Sequence, residues 1–166
     1  MSRWVVEQHD PGSPAAVALV ERHLAFARAS SPPEDVHALE VAGLVDRDVT
    51  FFGIRDGDAL VCMGALQHLD EGHGEIKSMH TEEGARGRGA GRAMLDHLLS
   101  VARARGYRRV SLETGTMAAF APARALYAAA GFAVCEPFAG YGRSANSVCM
   151  TLELDGSDVP PSGQRR

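Results

Sequence analysis

The segment from residue 86 to residue 92 combines glycine and arginine in a pattern that can bind phosphate. Glycine at alternate positions lets the backbone turn tightly and approach a ligand closely. A predicted helix begins near Gly89, and the unpaired N–H groups and dipole of a helix N-terminus favour an anion. The arginines add positive charge. We therefore predict a phosphate site formed by Arg86, Gly87, Arg88, Gly89, Ala90, Gly91 and Arg92.

The spacing of these glycines excludes two common phosphate-binding motifs. The dinucleotide pattern G-x-G-x-x-G fails because Arg92 or Met94 stands where its last glycine would be. The Walker pattern fails because Ala-Gly follows Gly89, where Lys and then Ser or Thr would be required. The pattern R-x-x-G-x-G remains. The competing interpretation is a surface loop that is rich in Gly and Arg through biased composition.

Hydrophobic periodicity and turn residues predict the elements that position this segment. Strands are predicted at 4–7, 50–55, 59–69, 74–81, 109–114, 132–135 and 148–154. Helices are predicted at 14–29, 34–44, 89–105 and 122–130. Hairpins come first and a strand–helix–strand crossover follows. This order predicts an α/β fold with a mixed, mostly antiparallel central sheet of about seven strands and helices on both faces.

Length, charge and cysteine content limit the class of protein. The 166 residues suit one domain, predicted at 1–155, followed by a mobile tail at 156–166. A net charge of -4 argues against nucleic acid as a partner, and no apolar run is long enough for a membrane span. The cysteines Cys62, Cys135 and Cys149 are widely spaced, and no apolar signal segment begins the sequence. These features predict a cytoplasmic location.

Three ordered motifs make the sequence resemble the GNAT superfamily of N-acetyltransferases. They are the strand E-I-K-S-M-H-T from Glu75, the turn R-G-R-G-A-G from Arg86 before an amphipathic helix, and A-L-Y-A-A-A-G-F from Ala125. The last matches the family's L-Y-x-x-x-G-F. The K-S-M-H strand and the P-F-x-x-Y segment from Pro137 resemble those of one bacterial group within the superfamily. The resemblance implies the GNAT fold, splayed at an acetyl-CoA site, and a tendency to form homodimers.

The resemblance also implies roles for individual residues. The backbone N–H groups of residues 86–92 would bind the coenzyme pyrophosphate. The preceding strand would carry a bulge and pair with the pantetheine arm through Met79, His80 and Thr81. Tyr127 matches a tyrosine that protonates or hydrogen-bonds the departing thiolate, although a purely structural core tyrosine is the alternative. Many members have Asn seven residues earlier, where this sequence has Phe120, so no contact is assigned there.

Acetyl transfer needs a group that removes a proton from the amine, because amines are mostly protonated near neutral pH. The candidates are Glu75, Glu113 and His80. Glu113 is favoured because it lies at the C-terminal end of its strand, where open sheets bind ligands. Either carboxylate could instead be solvated or salt-bridged. A pair between Lys77 and Glu113 on adjacent strands would make Glu113 a recognition group.

The acceptor site is the least specified part of the prediction. Its candidate residues are His37 on the second helix, Lys77, and the loop residues Tyr141, Arg143 and Asn146. Arg143 could clamp a carboxylate, which would suit an amino acid or a small acidic amine. An ordinary surface loop is the alternative.

The expected activity is acetyl transfer to a primary amine of a small molecule, by direct attack in a ternary complex. No metal is expected, since the histidines lack a metal-ligand spacing. A protein or peptide acetyltransferase, and a non-catalytic regulatory module that binds acetyl-CoA, are the alternatives. A Tyr127 that acts as an acid would favour an enzyme over a pure binder.

Overall fold

The computed structural model describes residues 3–154, which form one sheet flanked by helices. The strands are β1 Val6–Gln8, β2 Val49–Asp56, β3 Ala59–Asp70, β4 His73–Thr81, β5 Arg109–Gly115, β6 Ala133–Cys135 and β7 Ser147–Glu153. The helices are α1 Pro14–Ser30, α2 Val41–Leu44, α3 Ala90–Ala104 and α4 Ala121–Ala129. The predicted tail at 156–166 lies outside the described residues.

The seven strands are arranged in the order β1-β2-β3-β4-β5-β7-β6. All neighbouring strands are antiparallel except β4 and β5, which are parallel and are joined through α3. The predicted mixed and mostly antiparallel sheet is therefore confirmed.

The parallel pair β4–β5 is short, and its strands separate soon after they meet. They pair only where 73–75 faces 109–111. On the other side of β4, the register with β3 shifts because two residues, Ser78 and Met79, face the single residue Gly64. Ser78 has a φ of 56°, a left-handed conformation that bends a strand at such a bulge. The bulge and the early loss of pairing confirm the predicted splay and leave an opening between β4 and β5.

Apolar residues cover both faces of the sheet, because side chains alternate along each strand. One cluster packs α1 against the sheet and includes Leu19, Val20, Leu24, Phe51 and Met63. The other packs α3 and α4 against the opposite face and includes Met94, Leu95, Leu98, Tyr127 and Phe132. The opening between β4 and β5 is thus flanked by helices on both sides.

The predicted helix at 34–44 is wrong over most of its length. A single 3-10 turn covers Pro33–Asp35, the chain then runs in non-helical conformation to residue 40, and α2 has only four residues. Ala38 and Leu39 pack against the α1 cluster from this conformation. This tertiary packing outweighs a local helix preference that β-branched Val36 already weakens. The remaining predicted elements differ from the structure by one or two residues at their ends, as is usual for element boundaries.

Within residues 3–154, no helix has both the length and the hydrophobicity that crossing a membrane requires.

Candidate active site

A cavity of about 450 Å³ occupies the opening between β4 and β5. Its walls come from the end of α1, the segment 35–38, the bulged part of β4, the glycine-rich turn and the start of α4. One continuous space therefore joins the predicted phosphate site to three of the predicted acceptor residues, His37, Lys77 and Tyr141.

The glycine-rich turn forms one end of this cavity. Gly87 and Gly89 have φ values of 73° and 89°, which L side chains adopt only with strain. Gly89 is the residue that precedes α3, so the free N–H groups of the first helical turn follow it directly. A Cβ atom at either glycine would meet nothing within 4 Å, so backbone conformation and not crowding requires glycine here. All the predicted phosphate-site residues line the cavity except Arg88.

Arg88 fixes the turn through contacts on the side that faces away from the cavity. Its carbonyl accepts a hydrogen bond of 2.9 Å from Nε1 of Trp4, and its guanidinium lies 5.1 Å from the centre of the Trp4 ring. The same guanidinium is 3.7 Å from a carboxylate oxygen of Asp56 at the end of β2. The turn is thus tied to the far edge of the sheet, where both of these partners lie. The sequence contained no signal for the Trp4 contact, which joins residues 84 positions apart.

The bulged part of β4 forms the floor of the cavity. Ser78, Met79, His80 and Thr81 all line it. The hydroxyl oxygen of Ser78 is buried and has no hydrogen-bond partner among the described residues. An unpaired buried hydroxyl is costly in a folded protein, and such groups commonly occur at functional sites.

His80 and Phe120 belong to an aromatic group on the α1 side of the opening. Nδ1 of His23 lies 3.2 Å from Nδ1 of His80, so one ring donates its proton and the other accepts. Burial is the main cause that lowers the pKa of both rings to about 4; His80 adds to the effect on His23, and Arg86 and Arg22 add to the effect on His80. Both rings are therefore neutral near pH 7. Phe26 packs edge-on against His80 and against Phe120. The contact between Phe26 and Phe120 bridges the opening.

Tyr127 lies on α4 at the α3 side of the opening. Its side chain is 6% exposed, and its ring packs against Phe132. Burial raises its pKa, and the nearby Cys62 and Glu113 raise it further, so the phenol keeps its proton at neutral pH. Tyr127 lines the cavity, and its hydroxyl makes no hydrogen bond to any described residue. A proton donor is therefore available to a ligand.

Glu75, Lys77 and Tyr141 form a hydrogen-bonded network at the other end of the cavity. Lys77 Nζ donates to the Tyr141 hydroxyl at 2.8 Å and to Glu75 Oε2 at 3.3 Å. The Tyr141 hydroxyl donates to Glu75 Oε1 at 2.9 Å. Glu75 is 2% exposed and does not line the cavity, so it is a buried anion that holds the other two side chains. This environment leaves Glu75 poorly placed to act as a base.

Glu113 faces the cavity from β5. Ser147 donates a hydrogen bond of 2.7 Å to its Oε1, and its other oxygen has no partner among the described residues. Burial raises its pKa, while Ser147, His37 and Lys77 partly oppose this effect. The alternative pair between Lys77 and Glu113 is not formed, because the strands diverge after Glu75 and Lys77 pairs with that residue on its own strand.

The other predicted acceptor residues are only partly brought together. His37 lines the cavity and packs edge-on against the Tyr141 ring at 5.0 Å, although it is not on a helix. Arg143 pairs with Glu136, is 78% exposed and does not line the cavity. Asn146 donates to Asp35 at 3.2 Å, which fixes the segment 35–38 against the last loop. Sequence reasoning missed Asp35 and Phe26, which carry no motif and are brought to the cavity by the fold.

Comparisons with known proteins agree with this architecture. The model of the acetyltransferase (GNAT) family matches residues 14–132. The chain is 49% identical to the N-acetyltransferase YsnE of Bacillus subtilis over 83% of its own length and 91% of that protein. It is 41% identical to the N-acetyltransferase YedL of Escherichia coli over 95% and 99% of the two chains. A GNAT family acetyltransferase from Elizabethkingia anophelis, solved with acetyl-CoA bound, superposes with a TM-score of 0.67 at 18% identity, covering 93% and 100% of the chains.

The fold is that of an acetyltransferase. The chain belongs to the GNAT family of acetyltransferases.

Proposed function

We propose that this enzyme transfers the acetyl group of acetyl-CoA to a primary amine of a small molecule, by direct attack in a ternary complex. The observation that carries this proposal is the single cavity that joins the glycine-rich turn, Tyr127 and Glu113. A donor and an acceptor bound at its two ends would meet between Tyr127 and Glu113, so no covalent enzyme intermediate is needed.

Acetyl-CoA fits the residues at the turn end of the cavity. The N–H groups of residues 87–92 offer donors to a pyrophosphate at the start of α3, whereas the N–H of Arg86 bonds to the Glu83 carbonyl. The side chains of Arg86 and Arg92 add positive charge. The splay after Glu75 frees backbone groups of β4, so a pantetheine arm can lie along Met79 to Thr81 in place of a neighbouring strand. The coenzyme bound to the Elizabethkingia relative supports this choice of donor.

The proposed reaction requires two proton transfers. The acceptor binds as an ammonium ion and gives one proton to the Glu113 carboxylate, which later releases it to water. The neutral amine then attacks the thioester carbon, a C–N bond forms, and the C–S bond breaks. Tyr127 donates a hydrogen bond to the departing sulfur. The second amine proton passes to this thiolate, so the products are the amide and the free thiol of coenzyme A.

The three cysteines favour direct attack over an acyl-enzyme route. Burial raises the pKa of Cys62 to about 11. Burial also raises the pKa of Cys135 and of Cys149. Because the thiolate is the nucleophilic form, thiols that stay protonated are poor nucleophiles.

An acceptor screen tests the proposal directly. Release of the coenzyme A thiol is followed with a panel of small amines, and basic peptides are included as the alternative class of acceptor. We expect turnover with small amines. Turnover confined to peptides would contradict the small-molecule acceptor, and tight acetyl-CoA binding without any turnover would favour a regulatory module.

The pH dependence of the reaction tests Glu113 as the base. A carboxylate accepts a proton only above its pKa, so kcat/KM should fall as the pH drops through the raised pKa of Glu113. In Glu113→Gln we expect kcat/KM near neutral pH to fall by at least about tenfold and this acidic limb to disappear. Ser147→Ala, which removes the hydrogen bond to Glu113, should move the limb to higher pH. A Glu113→Gln profile that matches the wild type would exclude Glu113.

Trp4 offers a test of how the turn is held. Trp4→Phe keeps an aromatic ring but removes the N–H that donates to the Arg88 carbonyl. Loss of one such hydrogen bond should raise the KM for acetyl-CoA about two- to tenfold and leave kcat unchanged. Tyr107→Phe is the matched control, because Tyr107 belongs to the same apolar cluster but its hydroxyl bonds to His68. Equal KM values for Trp4→Phe and the wild type would show that the contact does not position the turn.

A further inference from the structure

Lys77 gives the acceptor end of the cavity a positive charge. It is the only lysine in the sequence. Its side chain is 12% exposed, and it is the only Lys or Arg that lines the cavity away from the glycine-rich turn, within the residues that the structure describes. The other cations of the lining, Arg86 and Arg92, belong to the turn.

The ammonium group of Lys77 keeps one donor for a ligand. Of its three N–H bonds, one is directed to Tyr141 and one to Glu75. These two partners also fix the ammonium in place, so a ligand need not immobilise a flexible side chain. The buried Glu75 carboxylate offsets the desolvation cost of placing the Lys77 ammonium at this position.

Glu113 provides the opposite charge across the opening. The last paired residues of β4 and β5 are Glu75 and Ser111, and Lys77 and Glu113 follow each of them by two positions. The two side chains therefore face the cavity from opposite sides of the splay. Glu113 has one carboxylate oxygen without a partner among the described residues. One end of the cavity thus offers a cation with a spare donor and an anion with a spare acceptor.

We propose that the acceptor is a small amine that also carries a carboxylate, such as an amino acid. The amine of this zwitterion meets Glu113, which removes its proton, and the carboxylate takes the free N–H of Lys77. This inference rests on the proposed N-acetyltransferase function and narrows its substrate class. A diamine would place its second ammonium beside Lys77, where like charges repel each other. The contact with the acceptor carboxylate is therefore assigned to Lys77. Arg143, the residue expected to make it, is exposed, pairs with Glu136 and lies outside the cavity.

Matched acceptors test this inference. Coenzyme A release is measured with α-, β- and γ-amino acids, and with the methyl ester and the decarboxylated amine of each. The wild type should have a kcat/KM for at least one amino acid that exceeds those of its ester and its amine by about tenfold or more, because a charge-assisted contact is lost in both analogues. Most of this difference should lie in KM. The inference is overturned if, for every amino acid of the panel, the ester or the decarboxylated amine reacts as well as the parent acid.

Variants of Lys77 link the preference to this residue. Lys77→Gln should bring the amino acid and its ester to similar kcat/KM values, whereas Lys77→Arg, which keeps the charge, should retain the preference. Because Lys77→Gln leaves Glu75 buried and unpaired, the double variant Lys77→Gln/Glu75→Gln removes both charges and should give the same loss of preference in a folded protein. Arg103→Gln, on the exposed end of α3, is the control for loss of a cation. A preference that persists in the double variant would contradict the role of Lys77.

The single ε-amine gives a second readout that does not depend on turnover. Mass spectrometry follows acetylation of Lys77 by deuterated acetic anhydride, with N-acetyl amino acids as the ligands because they have no free amine that consumes the reagent. The N-acetyl product of an amino acid that is a substrate should slow this modification, and the methyl ester of that product should not. If neither protects Lys77 while the acid is still acetylated in preference, the preference has another source and the inference fails. If no amine is acetylated at all, both the proposed function and this inference are wrong.

Discussion

Gly89→Glu should lower the affinity for acetyl-CoA by more than about 100-fold while the protein stays folded. The new carboxylate would stand at the start of α3, where the N–H groups and the helix dipole are proposed to hold a pyrophosphate. Like charges placed together cost several kcal/mol, and a loss of about 2.8 kcal/mol is already 100-fold in affinity. Calorimetry with coenzyme A measures the effect, and circular dichroism confirms the fold.

Two further variants separate charge from backbone strain. Gly89→Ala introduces strain at a φ of 89° without a charge, so it should weaken coenzyme binding much less than Gly89→Glu does. Gly106→Glu places the same residue at a φ of 80° beyond the other end of α3 and should leave coenzyme affinity unchanged. Wild-type affinity in Gly89→Glu, or equal losses in Gly89→Glu and Gly106→Glu, would refute the pyrophosphate site.

Tyr127→Phe should lower kcat about 100-fold and leave the KM for acetyl-CoA close to its wild-type value. The raised pKa of Tyr127 lies above the ordinary value for a thiol, about 8.5, so the phenol keeps its proton and in the proposed reaction would stabilise the departing thiolate as a hydrogen-bond donor. This contact strengthens as negative charge develops on sulfur, which is why its loss should appear in kcat. Steady-state kinetics with an acceptor found in the screen provide the measurement.

A structural role for Tyr127 makes a different prediction. If its ring only fills the space beside Phe132, Phe would serve equally well and kcat would not change. Tyr107→Phe, which removes the hydroxyl of another buried tyrosine outside the cavity, should leave kcat unchanged. Thioesters with a more acidic leaving thiol should restore part of the rate that Tyr127→Phe loses, because such a thiol depends less on a hydrogen-bond donor.

The sequence predicted those parts of the fold that local patterns determine. The helix α3 has an apolar stripe of Met94, Leu95 and Leu98, and Gly89 and Gly106 flank its ends, so it could be located before the structure was known. The segment 36–40 could not, because its conformation depends on packing against α1 and on the contact between His37 and Tyr141. No periodicity in the sequence records either contact.

The candidate site also has one part that local sequence patterns predicted and one part that they did not. The glycine-rich turn and Tyr127 belong to contiguous motifs, and the structure brings them to one cavity as the sequence implied. The acceptor end depends on residues that are far apart in sequence, such as the bond from Tyr141 to Glu75 across 66 positions. The sequence left a pair between Lys77 and Glu113 open as an alternative, because it could not show that β4 and β5 separate before those residues meet.

The short contact between β4 and β5 also affects how the two parts of the sheet share stability. Three residue pairs form the only backbone ladder between strands β1–β4 and strands β5–β7 within the described chain. A ligand bound in this gap as proposed would contact both parts and supply backbone hydrogen bonds that the diverging strands do not make to each other. Since a ligand that binds only the native state raises the free energy of unfolding, by about 2.7 kcal/mol at 100 times its Kd, acetyl-CoA bound in this way would also reversibly stabilise the sheet across its weakest junction.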